Sequence, residues 1–203
     1  MKMKLKISFV LLTIIIAYLG YKQLKKINFN SNYKVGQKID SLNNVTVFFN
    51  GGVSNTAGRN VTKDGYNLSI RYQCVEFVKR YYYEYLNHKM PDSYGNALDF
   101  YNTTLEDGEW NNKRNLKQCK NGGISIPKIN DIIIFNKNLW NKYGHVAIIA
   151  DINGEFITII QQNKGSFGKT REKLKLIKQE GKYYIDNERI LGWLNKPSIN
   201  FKS

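Results

Sequence analysis

Two residue types in this chain could make a nucleophile and its base. Cys74 lies in Arg71-Tyr72-Gln73-Cys74-Val75-Glu76-Phe77-Val78-Lys79-Arg80, and apolar residues recur at 74/75, 77/78, 81/82 and 85/86. That spacing is one face of a helix. The stretch before it, Asp64-Gly65-Tyr66-Asn67-Leu68-Ser69, carries turn residues, so a loop is predicted to enter a helix with Cys74 in its first turn. Unpaired N–H groups and the positive end of the helix dipole lie there. Both favour a thiolate, so the placement predicts a lowered pKa and a nucleophilic Cys74.

A thiol nucleophile needs a base, and the chain has two histidines, His88 and His145. His88 follows Cys74 by 14 residues on the same predicted helix. That is about 21 Å along the axis, outside hydrogen-bond reach. His88 reads instead as a helix C-terminal residue whose charge suits the dipole. His145 opens an apolar run just after Gly144, where tertiary folding can bring it to the helix start. For a cysteine enzyme, elimination leaves His145 as the base. A third group must hold the imidazole in one tautomer. The run from Phe156 ends in Gln161-Gln162-Asn163. Strand side chains alternate, so Gln161 and Asn163 face one way and Gln162 the other. Either Gln161 or Asn163 could accept the second imidazole N–H.

The elements that must position these groups follow from the chain's patterning. Val45–Phe49 reads as a first strand ended by Asn50-Gly51-Gly52. A loop from Ser54 to Asn67 leads to the cysteine helix, which is predicted to stop near Asn87-His88, before Pro91. Ala97–Tyr101 reads as a short helix and Glu106–Gly123, with Cys119, as irregular. Strands are predicted at Asp131–Phe135, His145–Ala150, Phe156–Asn163, Leu174–Ile177, Tyr183–Ile185 and Ile190–Leu194. Asn153-Gly154 and Glu180-Gly181 read as hairpin turns. One helix followed by antiparallel strands makes an α+β architecture.

At the N-terminus, Lys2, Lys4 and Lys6 precede the uncharged run Ile7–Tyr21, and Lys22, Lys25 and Lys26 follow it. Fifteen helical residues cover about 22 Å, short of a hydrocarbon core of roughly 30 Å. Snorkelling lysines and bilayer thinning can close the gap. A signal peptide shares the pattern, but Ala17-Tyr18-Leu19-Gly20 fits an A-x-A cleavage site poorly. The expectation is an uncleaved single-pass anchor over residues 1–26. A polar tether (27–44), a catalytic domain (45–196) and a tail (197–203) complete the expected order.

The 203 residues carry a net charge of +15, and 42% are apolar, 13% aromatic. That is a folded chain, suited to anionic surroundings such as a membrane surface or cell-wall polymer. Its basic residues are scattered without a nucleic-acid motif, so no specific nucleic-acid binding is expected. Two cysteines make no disulfide framework. Cys74, Cys119, His88 and His145 lack zinc-ligand spacing, so neither metal nor cofactor is expected.

Asp64-Gly65-Tyr66-Asn67-Leu68, Tyr72-Gln73-Cys74-Val75-Glu76-Phe77 and Gly144-His145-Val146-Ala147-Ile148-Ile149 resemble the CHAP family of cysteine, histidine-dependent amidohydrolases/peptidases. Pro127–Phe135 is similar to that family's proline-to-Gly-Asp turn. Ile160-Gln161-Gln162-Asn163, Thr170-Arg171-Glu172 and Ile190-Leu191-Gly192-Trp193 bring it nearest to the amidase domain of glutathionylspermidine synthetase/amidase. The resemblance covers about residues 45–196. It implies a papain-like cysteine hydrolase fold, with a nucleophile helix packed on an antiparallel sheet, and no metal. Cys74 takes the nucleophile position and His145 the base position. Gln161 and Asn163 take the positions where the family has glutamate and asparagine. Asn130 stands where the family's turn has glycine, and asparagine tolerates the left-handed conformation.

The implied chemistry is amide hydrolysis through an acyl-enzyme. His145 takes the Cys74 proton or rests with it as an ion pair, and the Cys74 N–H serves as an oxyanion donor. The implied substrate is peptidoglycan peptide, with the domain on the extracytoplasmic side of the membrane. One alternative is a small glutathione–polyamine amide. Another is a tethered binding module in which Gln161 marks lost catalysis. If the missing carboxylate limits activity, Gln161→Glu is expected to raise it.

Overall fold

The structure is a computed structural model and describes residues 2–139 and 141–197, with side chains from residue 6 onward. The predicted tail therefore lies outside the described residues, Pro197 excepted. Helix α1 (Lys2–Leu24) has no acidic residue in its first turn and leaves its apolar side chains, Phe9 and Ile16 among them, exposed. Within it, Lys6–Leu24 is 19 residues of mean hydropathy 1.7, none of it buried. At 1.5 Å per residue that span is about 28 Å long, longer than the Ile7–Tyr21 run because the helix continues past Lys22. By length and composition α1 can cross a membrane, a test that a signal sequence also passes.

The domain opens with a hairpin, β1 (Lys38–Leu42) on β2 (Val45–Phe48), turned through Asn43 and Asn44, both at positive φ. A second hairpin, β3 (Arg59–Val61) on β4 (Asn67–Ile70), occupies the stretch expected to be a plain loop. Then come α2 (Cys74–Glu84), a 3₁₀ turn (Leu98–Phe100) and eight more strands: β5 (Trp110–Asn111), β6 (Leu116–Lys120), β7 (Ile132–Phe135), β8 (His145–Asn153), β9 (Phe156–Ile160), β10 (Arg171–Gln179), β11 (Lys182–Ile185) and β12 (Ile190–Asn195). These eight form one antiparallel sheet in the order β11-β10-β9-β8-β7-β12-β6-β5. The region 106–123, read as irregular, thus supplies two strands. The tight β10–β11 turn places Glu180 and Gly181 at φ 50° and 75°, the signs a two-residue type I′ turn requires.

The sheet curls until its β11 edge meets the turn after β6. There Gly122 N–H donates to Tyr183 O at 2.8 Å and Tyr183 N–H to Gly123 O at 2.9 Å. The curl gives the central strands two buried faces. Ile132, Ile134, Val146 and Ile148 pack with Phe77, Val78 and Tyr81 of α2. Ile133, Phe135, Ala147 and Ile149 pack inside the curl with Trp193, Ile157 and Ile159. Burial on both faces explains why β7 and the first half of β8 read as unbroken apolar runs and not as alternation. Helix α2 is likewise enclosed, with every residue from Val75 to Tyr82 buried. At its far end, Tyr81 and Tyr82 hydroxyls donate to the Asn130 side chain and carbonyl at 2.6 and 2.8 Å. Asn130 adopts φ 75°, the left-handed turn expected of it.

The expected tether at 27–44 is folded onto the domain. Residues 38–42 are strand β1, and Gly36 N–H donates to Phe49 O at 2.8 Å. Asparagines make this possible: Asn28 and Asn30 side chains bond local backbone at 2.9 Å and Ser166 O at 2.9 Å. A polar composition here satisfies turn backbone where it was read as solvated linker.

Candidate active site

Helix α2 starts at Cys74. Tyr72 at φ 66° and the extended Gln73 (φ −85°, ψ 159°) turn the chain sharply into the first helical turn. The start is clamped by a buried side chain from the end of β9. Gln162 Nε2 donates to Gln73 O at 3.0 Å and to Glu76 Oε2 at 2.9 Å, while Gln162 Oε1 accepts the Phe48 N–H at 2.7 Å. Glu76, itself buried, is neutralised by Arg80 at 2.7 Å and accepts Asn60 Nδ2 at 2.8 Å. A buried carboxylate with a cation and two amide donors meets the requirement that buried charge be paired and bonded. Sequence reasoning missed this clamp. The available signal was a glutamate at 76 set among apolar helix positions.

Cys74 is half-buried and unoxidised. Burial pushes its thiol pKa up, while the nearby backbone N–H groups of Val146 and of the helix start act in the lowering direction without overcoming it. The expected lowered pKa is overturned. The helix N-terminus does supply N–H donors, but the enclosing protein removes the water a thiolate needs. Cys74 packs against the core cluster that contains Val146, so the helix start meets the start of β8, the strand that His145 opens.

His145 is buried, opposite Phe135 in the β7–β8 register, with the two ring centroids 5.9 Å apart. The turn before it depends on Gly144, at φ 70°. A Cβ there would lie 2.6 Å from Phe135 O and 2.9 Å from Leu98 Cγ. His145 Nε2 donates to Gln161 Oε1 at 3.1 Å. The Gln161 amide nitrogen is committed elsewhere, to Lys169 O and Glu172 Oε2, each at 3.3 Å. Its oxygen therefore faces the imidazole, which keeps the proton on Nε2 and leaves Nδ1 as the acceptor nitrogen. Burial, with Lys164 and Arg189 nearby, pushes the His145 pKa down to about 3, although the Gln161 bond raises it. Near neutral pH the two groups rest as thiol and uncharged imidazole, not as an ion pair.

Asn163 is placed differently from Gln161. At φ 63° it turns to the 50–55 loop, where its Nδ2 donates to Val53 O at 3.0 Å and to Gln73 Oε1, and its Oδ1 accepts Asn50 Nδ2 at 3.0 Å. Gln73 Nε2 donates in turn to Asn55 O at 2.7 Å. Asn163 thus braces the residue before Cys74 while Gln161 bonds the imidazole.

The chain's other histidine and other cysteine lie away from the site. His88 sits beyond the end of α2, buried, its Nε2 donating to Arg114 O at 2.9 Å, and burial lowers its pKa. It is an uncharged structural residue, not the dipole-facing cation expected. Cys119 is buried in β6 opposite Trp193, and burial raises its thiol to about 11. Among the described residues no three potential ligands cluster to hold a metal. A pocket of about 370 Å³, lined by Leu86, Asn130, Asp131 and Asn195 among others, lies at the other end of α2. An 11-residue helix sets it about 16 Å from Cys74.

The CHAP domain family model matches residues 62–163, just over half of the chain and a span that includes Cys74, His145, Gln161 and Asn163. Trypanothione synthetase of Crithidia fasciculata is 27% identical over 152 residues, 70% of this chain. The match takes in 23% of that protein, so the chain spans about a quarter of its relative's length. Among solved structures, the crystal structure of Ly7917 is similar over 36% of this chain and 29% of that one, at 24% identity. Its TM-score of 0.26 marks a local likeness too slight to bear on the fold. The family match, over a span that contains the helix-start cysteine and the strand-start histidine, shows that the chain belongs to the CHAP domain family of amidase/peptidase hydrolases.

Proposed function

We propose that the protein is a cysteine-dependent amidohydrolase, anchored through α1 with its domain on the extracytoplasmic side, that cleaves amide bonds in peptidoglycan peptides. The observation that carries the chemistry is the bond from His145 Nε2 to Gln161 Oε1 at 3.1 Å, with Cys74 packed against the core cluster that holds the neighbouring Val146. His145 Nδ1 takes the thiol proton as the sulfur attacks the substrate carbonyl carbon. The Cys74 N–H stabilises the oxyanion. Collapse of the tetrahedral adduct breaks the C–N bond, and the imidazolium gives its proton to the leaving amine. Water, deprotonated by His145, then attacks the thioester, releasing the acid and restoring the thiol. The arrangement of a helix-start cysteine against a strand-start histidine fits a papain-like fold.

A second substrate reading, a small glutathione–polyamine-type amide, is favoured by the trypanothione synthetase relative. The net charge of +15 disfavours a polycationic substrate and suits an anionic polymer. The test is turnover by the full chain in detergent, beside Cys74→Ala, on purified peptidoglycan and separately on glutathionylspermidine, with released amines identified by mass spectrometry. Cys74-dependent release from peptidoglycan is expected. Release from glutathionylspermidine alone would move the assignment to the small amide. No release from either, with Cys74 inert to alkylation, would leave a binding module.

A further inference from the structure

The end of α1 is fastened to the loops that flank Cys74. Past Leu24 the chain turns at once, and Lys25 O accepts the Ser54 N–H at 2.9 Å. Gly52 lies so close that a Cβ there would be 2.4 Å from Lys25 O, 2.6 Å from Lys26 C and 2.8 Å from Ile27 O. Two residues later Phe29 N–H donates to Ser166 Oγ at 3.1 Å, and Asn30 Nδ2 to Ser166 O at 2.9 Å. The 50–55 loop and the 163–168 loop are the ones that brace Gln73 through Asn55 and Asn163. No slack chain therefore separates the hydrophobic helix from the proposed nucleophile's surroundings.

Around this junction the surface is apolar and basic. Ile27, Phe29, Val53 and Phe167 are 45%, 57%, 39% and 74% exposed. Val53 and the 163–168 loop are in contact, since a Cβ on Gly165 would meet Val53 Cγ1 at 3.2 Å. Lys22, Lys25 and Lys26 cluster at the helix end, and Lys164 stands on the second loop. Apolar side chains beside lysines, directly where a membrane-length helix stops, have the composition of an interfacial anchor.

We infer that the ridge of Ile27, Phe29, Val53 and Phe167 is seated in the headgroup layer of an anionic bilayer, holding the Cys74–His145 site at the membrane surface. The inference rests on the reading of α1 as a membrane anchor. It narrows the proposed substrate to amides presented close to the bilayer, because a fastened domain cannot sweep outward as a tethered one would.

The test places the full chain in phosphatidylglycerol/phosphatidylcholine liposomes doped with shallow-brominated lipid, with tryptophan introduced by Phe167→Trp or Phe29→Trp. The wild-type chain supplies the background emission. Phe156→Trp is the control: Phe156 lies in the hairpin at the far end of β8, nine residues long, about 27–30 Å from His145 along the strand. Loss of most of the added emission at 167 and 29, but not at 156, is expected. That loss should shrink when phosphatidylglycerol is replaced by phosphatidylcholine, and undiminished quenching would overturn the anionic assignment. Integration is scored separately by resistance to alkaline carbonate extraction. An integrated chain whose added tryptophans stay unquenched overturns the surface contact alone. A chain released by carbonate overturns the anchor reading and the contact with it.

Discussion

Replacing Gln161 by the family's glutamate should not, by itself, restore a carboxylate-assisted histidine. The new carboxylate would stand 3.1 Å from His145 Nε2. Its second oxygen would replace the amide nitrogen, which now donates to Lys169 O and Glu172 Oε2 at 3.3 Å each. At an effective dielectric of about 20, attraction to an imidazolium at that distance and repulsion from a carboxylate at 3.3 Å are each on the order of 5 kcal/mol before solvent screening. Glu172 is partly exposed and Lys164 stands 3.5 Å from it, so screening reduces the repulsion without removing it. Two carboxylates this close are relieved by holding a proton between them, which removes much of the charge offered to the imidazolium, and Lys169 O also loses its donor. Gln161→Glu alone should therefore change kcat/KM little or lower it. The double substitution Gln161→Glu/Glu172→Gln restores complementarity: a carboxylate meets the imidazole, and the new amide at 172 donates to its other oxygen. It should exceed the single by at least about tenfold, or ~1.4 kcal/mol of transition-state stabilisation. Its pH–rate profile should show a base pKa raised by about 1–3 units. The assay is amine release across pH 3–8 for the four members of the cycle, a range that spans the base limb of each. A single Gln161→Glu as active as the double would refute the reasoning, since Glu172 would then be electrostatically silent.

Three further outcomes are expected. Because burial raises both thiols, iodoacetamide should label Cys74 and Cys119 slowly below pH 8; rapid labelling of Cys74 at pH 6–7 would show that an ion pair forms after all. Asp131 is pushed up to about 7 by burial, so the folded state holds a proton that the unfolded state loses near 3.8; its contribution to stability is full below that value and fades as pH rises through 7. Asp131→Asn should flatten the fall in melting temperature between pH 4 and 8, and an unchanged slope would contradict the assignment. Gln162→Ala would leave buried Glu76 short of a donor and Gln73 O unbraced, destabilising by about 1–3 kcal/mol and lowering kcat more than KM; an unaltered melting curve would count against the clamp.

The parts of this fold that could be read in the chain are those where burial is extreme. The apolar runs of β7, β8 and β9 announce strands because both of their faces are covered, and the helix at Cys74 is marked by its periodicity. Strands β5 and β6 escaped notice because Trp110–Lys120 mixes lysine, asparagine and glutamine, with Asn111 and Gln118 buried as hydrogen-bond partners of each other at 3.0 Å. Such pairing is invisible to a hydrophobic pattern. Residues 27–44 failed for a related reason: asparagines that close turns look like those of a solvated linker. At the site, alternation correctly set Gln161 and Gln162 on opposite faces, but not which of Gln161 and Asn163 meets His145. That choice depends on the left-handed turn at Asn163. The direction of the Cys74 pKa was misjudged because helix-end electrostatics are local, whereas enclosure by β8 is a property of the finished fold.

The Gln162 clamp also constrains when the protein becomes active. Its bonds to Glu76 and Gln73 span 86 and 89 residues of chain. A polypeptide emerging from the ribosome exposes its cysteine long before the strand that seats it. The helix start is therefore organised only by contacts of high sequence separation, which form late because loop closure precedes their reward. Partial chains lacking β9 would carry an unassembled thiol, so the site cannot be organised before Gln162 has been made and has reached the helix start.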